Sequence, residues 1–241
     1  MTETNIYGDK LVSLSAGHGV DVSSQRADWM DQDACEHLTR LCLSTTNESS
    51  SSETEVRALD IGCGFGGQVF RMAQTGAHSV GIDNTYFEPS QRMTEAARIA
   101  PGGSIEFHQQ NLMLLPMIGK KLRKHHFDVV VCQRTIHYLK YAMAKCALER
   151  IGSVLKPGGL LYLSASGLGS ELSNGYLAAN LPVHERFAEL GRFMAQRHQI
   201  LSPVCLYTLE ELTNLVQNAG FAVTRSEVSA FGNIKVAATK P

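Results

Sequence analysis

Residues Ala58-Leu59-Asp60-Ile61-Gly62-Cys63-Gly64-Phe65-Gly66-Gly67 decide how this chain is read. They describe a buried strand with an acidic residue at its tip, then a glycine turn that feeds a helix. Glycine has no Cβ and tolerates φ > 0, so such a turn lets a ligand come close to the backbone. The helix behind it offers unpaired N–H groups and the positive end of its dipole. Gly62, Gly64 and Gly67 also satisfy the literal pattern G-x-G-x-x-G, a weak signal without its surroundings.

Asp60 supplies the surroundings. Where a dinucleotide pyrophosphate sits over such a turn, the preceding strand is usually apolar to its end. A carboxylate there would repel two phosphate charges at close range. It suits a ligand with a cationic amine, and S-adenosylmethionine carries an α-amino group and a sulfonium but no phosphate. Val80-Gly81-Ile82-Asp83-Asn84 is a second short apolar strand ending in a carboxylate. Asp83 stands about where doubly wound folds place the acid that accepts both ribose hydroxyls, a role open to either cofactor.

With these residues the chain resembles the class I S-adenosylmethionine-dependent methyltransferases, and the resemblance continues along the sequence. Phe107-His108-Gln109-Gln110-Asn111-Leu112 through Leu115-Pro116 looks like the family's third strand and adenine-edge loop. Phe127-Asp128-Val129-Val130-Val131-Cys132 resembles its fourth strand, and Leu155-Lys156-Pro157-Gly158-Gly159-Leu160 the turn before its fifth. Leu209-Glu210-Glu211-Leu212 and Ala219-Gly220-Phe221 look like its last helix and the turn into a terminal antiparallel pair.

The resemblance covers roughly residues 55–164 and 207–241. It implies an α/β fold: a doubly wound, seven-stranded, mostly parallel Rossmann-like sheet with an antiparallel last strand and a helical cap. It also implies S-adenosylmethionine as cofactor. Asp60 and the turn Gly62, Cys63, Gly64 and Gly66 would hold the methionine moiety. Asp83 would take the ribose hydroxyls with Asn84 beside the adenine, and Asn111 and Leu112 would line the adenine edge. Gln133 would meet the methionine end through its backbone. Family members often carry Asp where this chain has Asn111, whose carbonyl oxygen can still accept from the adenine amino group.

Composition sets the outer limits. A chain of 241 residues can bury a full core and suits one domain with an accessory cap. A net charge of −1 argues against a strongly electrostatic nucleic-acid binder. No apolar run is long enough to span a bilayer, and the start lacks the basic-then-apolar order of a signal peptide. Six scattered cysteines form no C-x-x-C, and no His cluster has zinc spacing, so no metal is expected. These features point to a soluble protein in a reducing, cytoplasmic setting.

The core alternates short apolar strands, near 56–61, 77–82, 104–108, 127–132 and 158–164, with helices near 66–75, 89–99 and 137–151. Residues 1–54 form an N-terminal helical cap, with a helix over 27–43 and a Ser/Thr/Glu-rich linker from Ser44 to Thr54. Residues 55–241 form the methyltransferase domain, with 165–206 inserted as a substrate lid. In that insertion Phe187, Leu190 and Met194 read as an apolar stripe, with Glu185, Arg186, Glu189 and Arg192 facing away. Trp29 and Met30 are candidates for the pocket wall.

Methyl transfer asks mainly for alignment of the nucleophile and exclusion of water. Candidates lie just past the fourth strand. His137 can move a proton near neutral pH, Arg134 can pair with an acceptor carboxylate, and Tyr138 can line the acceptor site. Each also has a plain packing or solvated reading. No Asn/Asp-Pro-Pro-Tyr follows the fourth strand and no Pro-Cys precedes a nucleophile, so the usual base-modifying patterns are absent. Gly119 through His126 is a local basic run that reads as a solvated loop. The expectation is a small-molecule methyltransferase acting at O, N or C. The rivals are an RNA or protein methyltransferase, a nicotinamide-dependent oxidoreductase, and a protein that binds S-adenosylmethionine without turnover.

Overall fold

The computed structural model describes residues 17–21, 26–47, 55–85, 102–116 and 126–241. The helix expected at 89–99 and nearly all of the basic run fall outside them. The main-sheet strands are β1 (Arg57–Ile61), β2 (His78–Asp83), β3 (Ser104–Gln109), β4 (Phe127–Gln133), β5 (Leu155–Ala165), β8 (Ala222–Val228) and β9 (Ile234–Thr239). A two-stranded ribbon, β6 (Phe187–Ala188) with β7 (Val204–Cys205), lies apart. The helices are α1 (Trp29–Asn47), α2 (Gly67–Ala73), α3 (Tyr141–Val154), α4 (Arg192–His198) and α5 (Leu209–Asn218).

The main sheet has seven strands in the order β3-β2-β1-β4-β5-β9-β8. The first five run parallel, while β9 is antiparallel to both β5 and β8. This is the doubly wound fold that the alternation of strand and helix predicts. Strand order reverses between β1 and β4, and at such a switch point the strand ends open a crevice for a ligand.

Both faces of the sheet are covered, so its central strands carry apolar residues on either side. One face packs Leu59, Ile61, Val130 and Leu163 against Leu148 and Ile151 of α3 and Leu215 of α5. The other packs Ala58, Val129, Val131 and Tyr162 against Met30, Ala34 and Leu38 of α1. Met30, expected at the pocket wall, is thus fully buried core.

Two boundaries differ from the sequence reading. Helix α1 runs on through Ser44–Asn47, because the Ser44 and Thr45 hydroxyls donate to the carbonyls of Leu41 and Cys42 three residues back (2.8 and 2.9 Å). The helix expected from residue 137 begins only at Tyr141, and Ile136–Tyr138 form a single 3-10 turn before it.

Residues 165–206 do not carry the expected stripe on one helix, since Phe187 lies on β6 and Met194 on α4. They fold into short turns, the β6–β7 ribbon and α4 around their own core of Leu172, Tyr176, Leu190, Ile200, Val204 and Leu206. Arg186, expected to face away, is 5% exposed. Its guanidinium makes a bidentate pair with Glu211 of α5 (2.7 and 3.0 Å) and donates to the carbonyls of Leu181 and Leu206. The Arg186 charge beside it, with the bonds from Thr208, holds the Glu211 carboxyl below its usual range despite partial burial. Breaking such a pair strands the remaining buried groups. Arg186→Met should therefore lower unfolding free energy by about 3 kcal/mol in urea titration, whereas Arg197→Met, at an exposed ion pair with Glu171, should change it by about 0.5 kcal/mol or less.

Candidate functional site

A cavity of about 490 Å³ opens over the C-terminal tips of β2, β1, β4 and β5, within the range of roughly 300–1,000 Å³ usual for small-ligand sites. The glycine turn forms its floor. Gly62, Gly64 and Gly66 all have positive φ (70°, 52° and 86°). A Cβ at Gly62 would collide with the Thr135 hydroxyl, and one at Gly66 with the Phe107 ring (2.5 Å). Gly66 is therefore needed for packing, and it does not line the cavity. Nor does Cys63, which is buried with its sulfur beneath the turn, where a Cβ at Gly81 would lie 2.9 Å from it.

The amides of the turn itself, from Gly62 to Gly66, are engaged. Gly62 and Cys63 donate to the Ile82 carbonyl, Gly64 to the Asp83 carboxylate, Phe65 to Asp21 and Gly66 to the Cys63 carbonyl. A phosphate cradle needs such donors to be free. Here all five are engaged, so the turn contributes space and shape.

The cavity's strongest feature is its carboxylates. Asp83 accepts from Gly64 N (3.1 Å) and Thr85 N (2.9 Å), which fixes both oxygens at the rim. Asp31 accepts from Asp28 N (2.7 Å) and from the Gln133 amide, while Asp28 caps α1 through Met30 N (2.8 Å). Asp60 is 4% exposed and faces the cavity, and among the described residues no hydrogen bond reaches its carboxylate. Burial raises the Asp60 pKa well above the ordinary value, and the nearby Asp31 and Asp21 raise it further. Burial lifts Asp31 to about 6 and also raises Asp83. Such a site is built to be discharged by a cation.

Asn84, Asn111 and Leu112 lie on the cavity wall with Gln110 and Met113. The Asn111 side-chain oxygen accepts from Met113 N (2.8 Å), capping the short turn at Leu112–Leu114. Gln133 lines the wall, but its side chain is the donor that positions Asp31.

Arg134 and Tyr138 line the cavity, whereas His137 and Trp29 do not. His137 is 1% exposed, accepts from Ser166 N at Nδ1 (3.4 Å), and is held to a pKa of about 3 by burial and the Arg134 charge. A ring so placed stays neutral and off the cavity wall, so its position does not support the role of base. Trp29 instead packs beside the α1 core with the Arg225 guanidinium 3.8 Å above its ring.

Two wall segments escaped the sequence reading. Residues 17–21 cross the cavity as a strap. Tyr138 OH donates to His18 O (2.7 Å), Arg134 Nη2 to Val20 O (2.9 Å), and Phe65 N to Asp21 (2.9 Å). The tip of the β8–β9 hairpin supplies Ser229, Ala230, Phe231 and Asn233, with Lys235 just beyond, paired to Asp28 (2.7 Å). No described residue of 165–206 lines the cavity. That insertion instead braces both segments: Gly19 N donates to Gln199 O, Leu201 N to Gly17 O, and Gly232 of the hairpin closes on Ser170. Only the Asp28-x-x-Asp31 spacing at a helix start could have drawn attention to this wall in the sequence.

Comparison with known proteins agrees with this geometry. Residues 26–226 match the family described as a methyltransferase domain. The chain is 32% identical over 108 residues, 45% of its length, to a ubiquinone biosynthesis O-methyltransferase of Haemophilus ducreyi, and covers 44% of that protein. Two further curated relatives are spanned to 28% and 40% of their length. Among solved structures, a S-adenosylmethionine-dependent methyltransferase of Methanosarcina mazei is similar at TM-score 0.57 and 24% identity, over 78% of this chain and 93% of that one. The Burkholderia thailandensis 1,6-didemethyltoxoflavin-N1-methyltransferase, solved with its substrate and S-adenosylhomocysteine, is similar at TM-score 0.56 and 18% identity, over 88% and 80%. The fold is that of the class I S-adenosylmethionine-dependent methyltransferases. The chain belongs to the methyltransferase domain family.

The tight seat of Gly62 gives a direct test of the floor. Gly62→Ala should cost about 2 kcal/mol or more of stability from strain and overpacking. Thr135→Ala in the same chain should restore part of that loss, a coupling readable by a double-mutant cycle in chemical denaturation.

Proposed function

We propose that this protein methylates a small-molecule acceptor at O, N or C, with S-adenosylmethionine bound at the β1–β2 end of the cavity. The observation that carries the reading is Asp60: a buried carboxylate without a described partner, facing a cavity over a glycine turn whose own amides, from Gly62 to Gly66, are engaged. The residues present fit the cofactor. Asp60 and Asp31 would neutralise the cationic methionine end, held over the backbone of Gly62. Asp83, already oriented by two backbone amides, has lone pairs left for the ribose hydroxyls. Asn84, Asn111, Leu112 and Met113 would enclose the base.

When bound, the cofactor supplies a methyl group on a sulfonium, already activated for in-line displacement. What the protein adds is placement and exclusion of water. The strap at 17–21 and the hairpin tip at Ser229–Asn233 would close over the reactants. Arg134, Tyr138 and Ser164 would face the acceptor. His18 is the imidazole of the described cavity wall and the candidate to take a proton from an O–H or N–H acceptor, the role first assigned to His137. We take residues 165–206 as the brace of the acceptor site, and a reducing cytoplasmic setting as suited to six free thiols.

The carboxylates give the test its signature. A cation stabilises the ionised forms of Asp60 and Asp31, whose raised pKa values leave them partly protonated in the free protein. Binding must then release protons, and affinity must fall as pH drops below about 6. Calorimetric titration of S-adenosylmethionine in buffers of different ionisation enthalpy reads this directly. Asp60→Asn should weaken binding at least about tenfold, diminish the proton release, and raise the stability of the free protein by about 1 kcal/mol, since it removes a buried uncompensated charge. Unchanged affinity in that variant would remove Asp60 from the site.

A further inference from the structure

The cavity crosses four adjacent strand tips. The order β2-β1-β4-β5, at about 4.8 Å per strand, separates the tips of β2 and β5 by about 14 Å. Asp83 ends β2 and Asp60 lies on β1. Arg134 follows the tip of β4 and leans on β5, where its amide donates to both the carbonyl (2.9 Å) and the hydroxyl (3.1 Å) of Ser164.

Arg134 is held in place at a conformational cost. Its φ is 49°, a left-handed value uncommon for any residue but glycine, and strain of this kind gathers at functional sites. Yet its side chain makes a single hydrogen bond, from Nη2 to Val20 O, and among the described residues it pairs with no carboxylate. The guanidinium has five N–H donors in a planar fork. Lys235, the nearby cation on the hairpin side of the wall, is already paired with Asp28. The cavity wall carries five aspartates, yet among the described residues none is bonded to the Arg134 fork, whose remaining donors are open to the part of the cavity left over by the cofactor. Leu139 and Phe231 give this part apolar surface.

We propose that the methyl acceptor is an anionic small molecule whose carboxylate is received by the Arg134 fork, with its apolar body against Leu139 and Phe231. A planar carboxylate matches two parallel guanidinium donors, and Asp60 and Asp83 at the β1–β2 end would repel the same group. The proposal rests on the reading that the β1–β2 end holds S-adenosylmethionine.

The test uses the full chain saturated with S-adenosylhomocysteine and three matched pairs of probes at millimolar concentration: benzoate and benzamide, phenylacetate and phenylacetamide, cinnamate and cinnamamide. Ligand-observed NMR should find the acids bound at least about tenfold more tightly than their amides. In Arg134→Asn the acid-to-amide ratio should fall to near one. Asn tolerates the left-handed backbone, and a general loosening of the site would weaken both members of a pair alike. Arg134→Lys, which keeps the charge and loses the fork, should retain an intermediate preference. Acids and amides binding equally, no acid binding at all, or a preference that survives Arg134→Asn would each overturn the proposal. Failure of S-adenosylhomocysteine itself to bind would instead overturn the cofactor reading beneath it, so the two failures are separable.

Discussion

A carboxylate that the fold buries and leaves without a partner sets the terms for this site. Asp60 lies on a central strand with apolar neighbours before and after it, and burial holds its pKa far above the ordinary range. A protein that gained nothing from this group would be more stable with an amide there. Asp31, Asp21 and Asp83 are brought near enough to raise the cost, so the cavity stores repulsion that a cation relieves. The glycine turn beneath it completes the selection. Its amides are bonded to Ile82, Cys63, Asp83 and Asp21, so these five donors are not free for a phosphate.

The remainder of the chain shapes the walls around that point. Asp28 and Asp31 close the start of α1 reciprocally, which places Asp31 on the cavity with Gln133 as its second donor. The insertion after β5 is anchored by the buried Arg186–Glu211 pair and by its own apolar core. From that fixed base it supports the strap at 17–21 and the hairpin tip at 229–233. The division is physical: a parallel sheet supplies fixed strand tips, and loops braced by a separate small core supply the rest of the cavity wall.

Much of this was legible in the sequence, and the rest was hidden for identifiable reasons. Strands β1, β2 and β4 carry short apolar runs with Asp60, Asp83 and Gln133 at or next to their ends, so both the strands and their tips can be read locally. The helix boundaries at Asn47 and Tyr141 depended on hydroxyl bonds and on a 3-10 turn that periodicity does not register. His137 reads as a proton carrier by residue type, but its neighbour Tyr138 takes the cavity position and leaves it beneath. Arg186 reads as a solvated face because its partner is 25 residues away. The strap and the hairpin tip reach the cavity only through tertiary contacts, from segments about 200 residues apart. No local pattern could have joined them.

The central claim is that this crevice selects a cationic adenosyl ligand and rejects a pyrophosphate. Parallel calorimetric titrations of the purified protein with S-adenosylmethionine and with NAD test it most directly. The account predicts saturable binding of S-adenosylmethionine and no heat of binding from NAD. Binding of NAD without S-adenosylmethionine would contradict it from Asp60 onward.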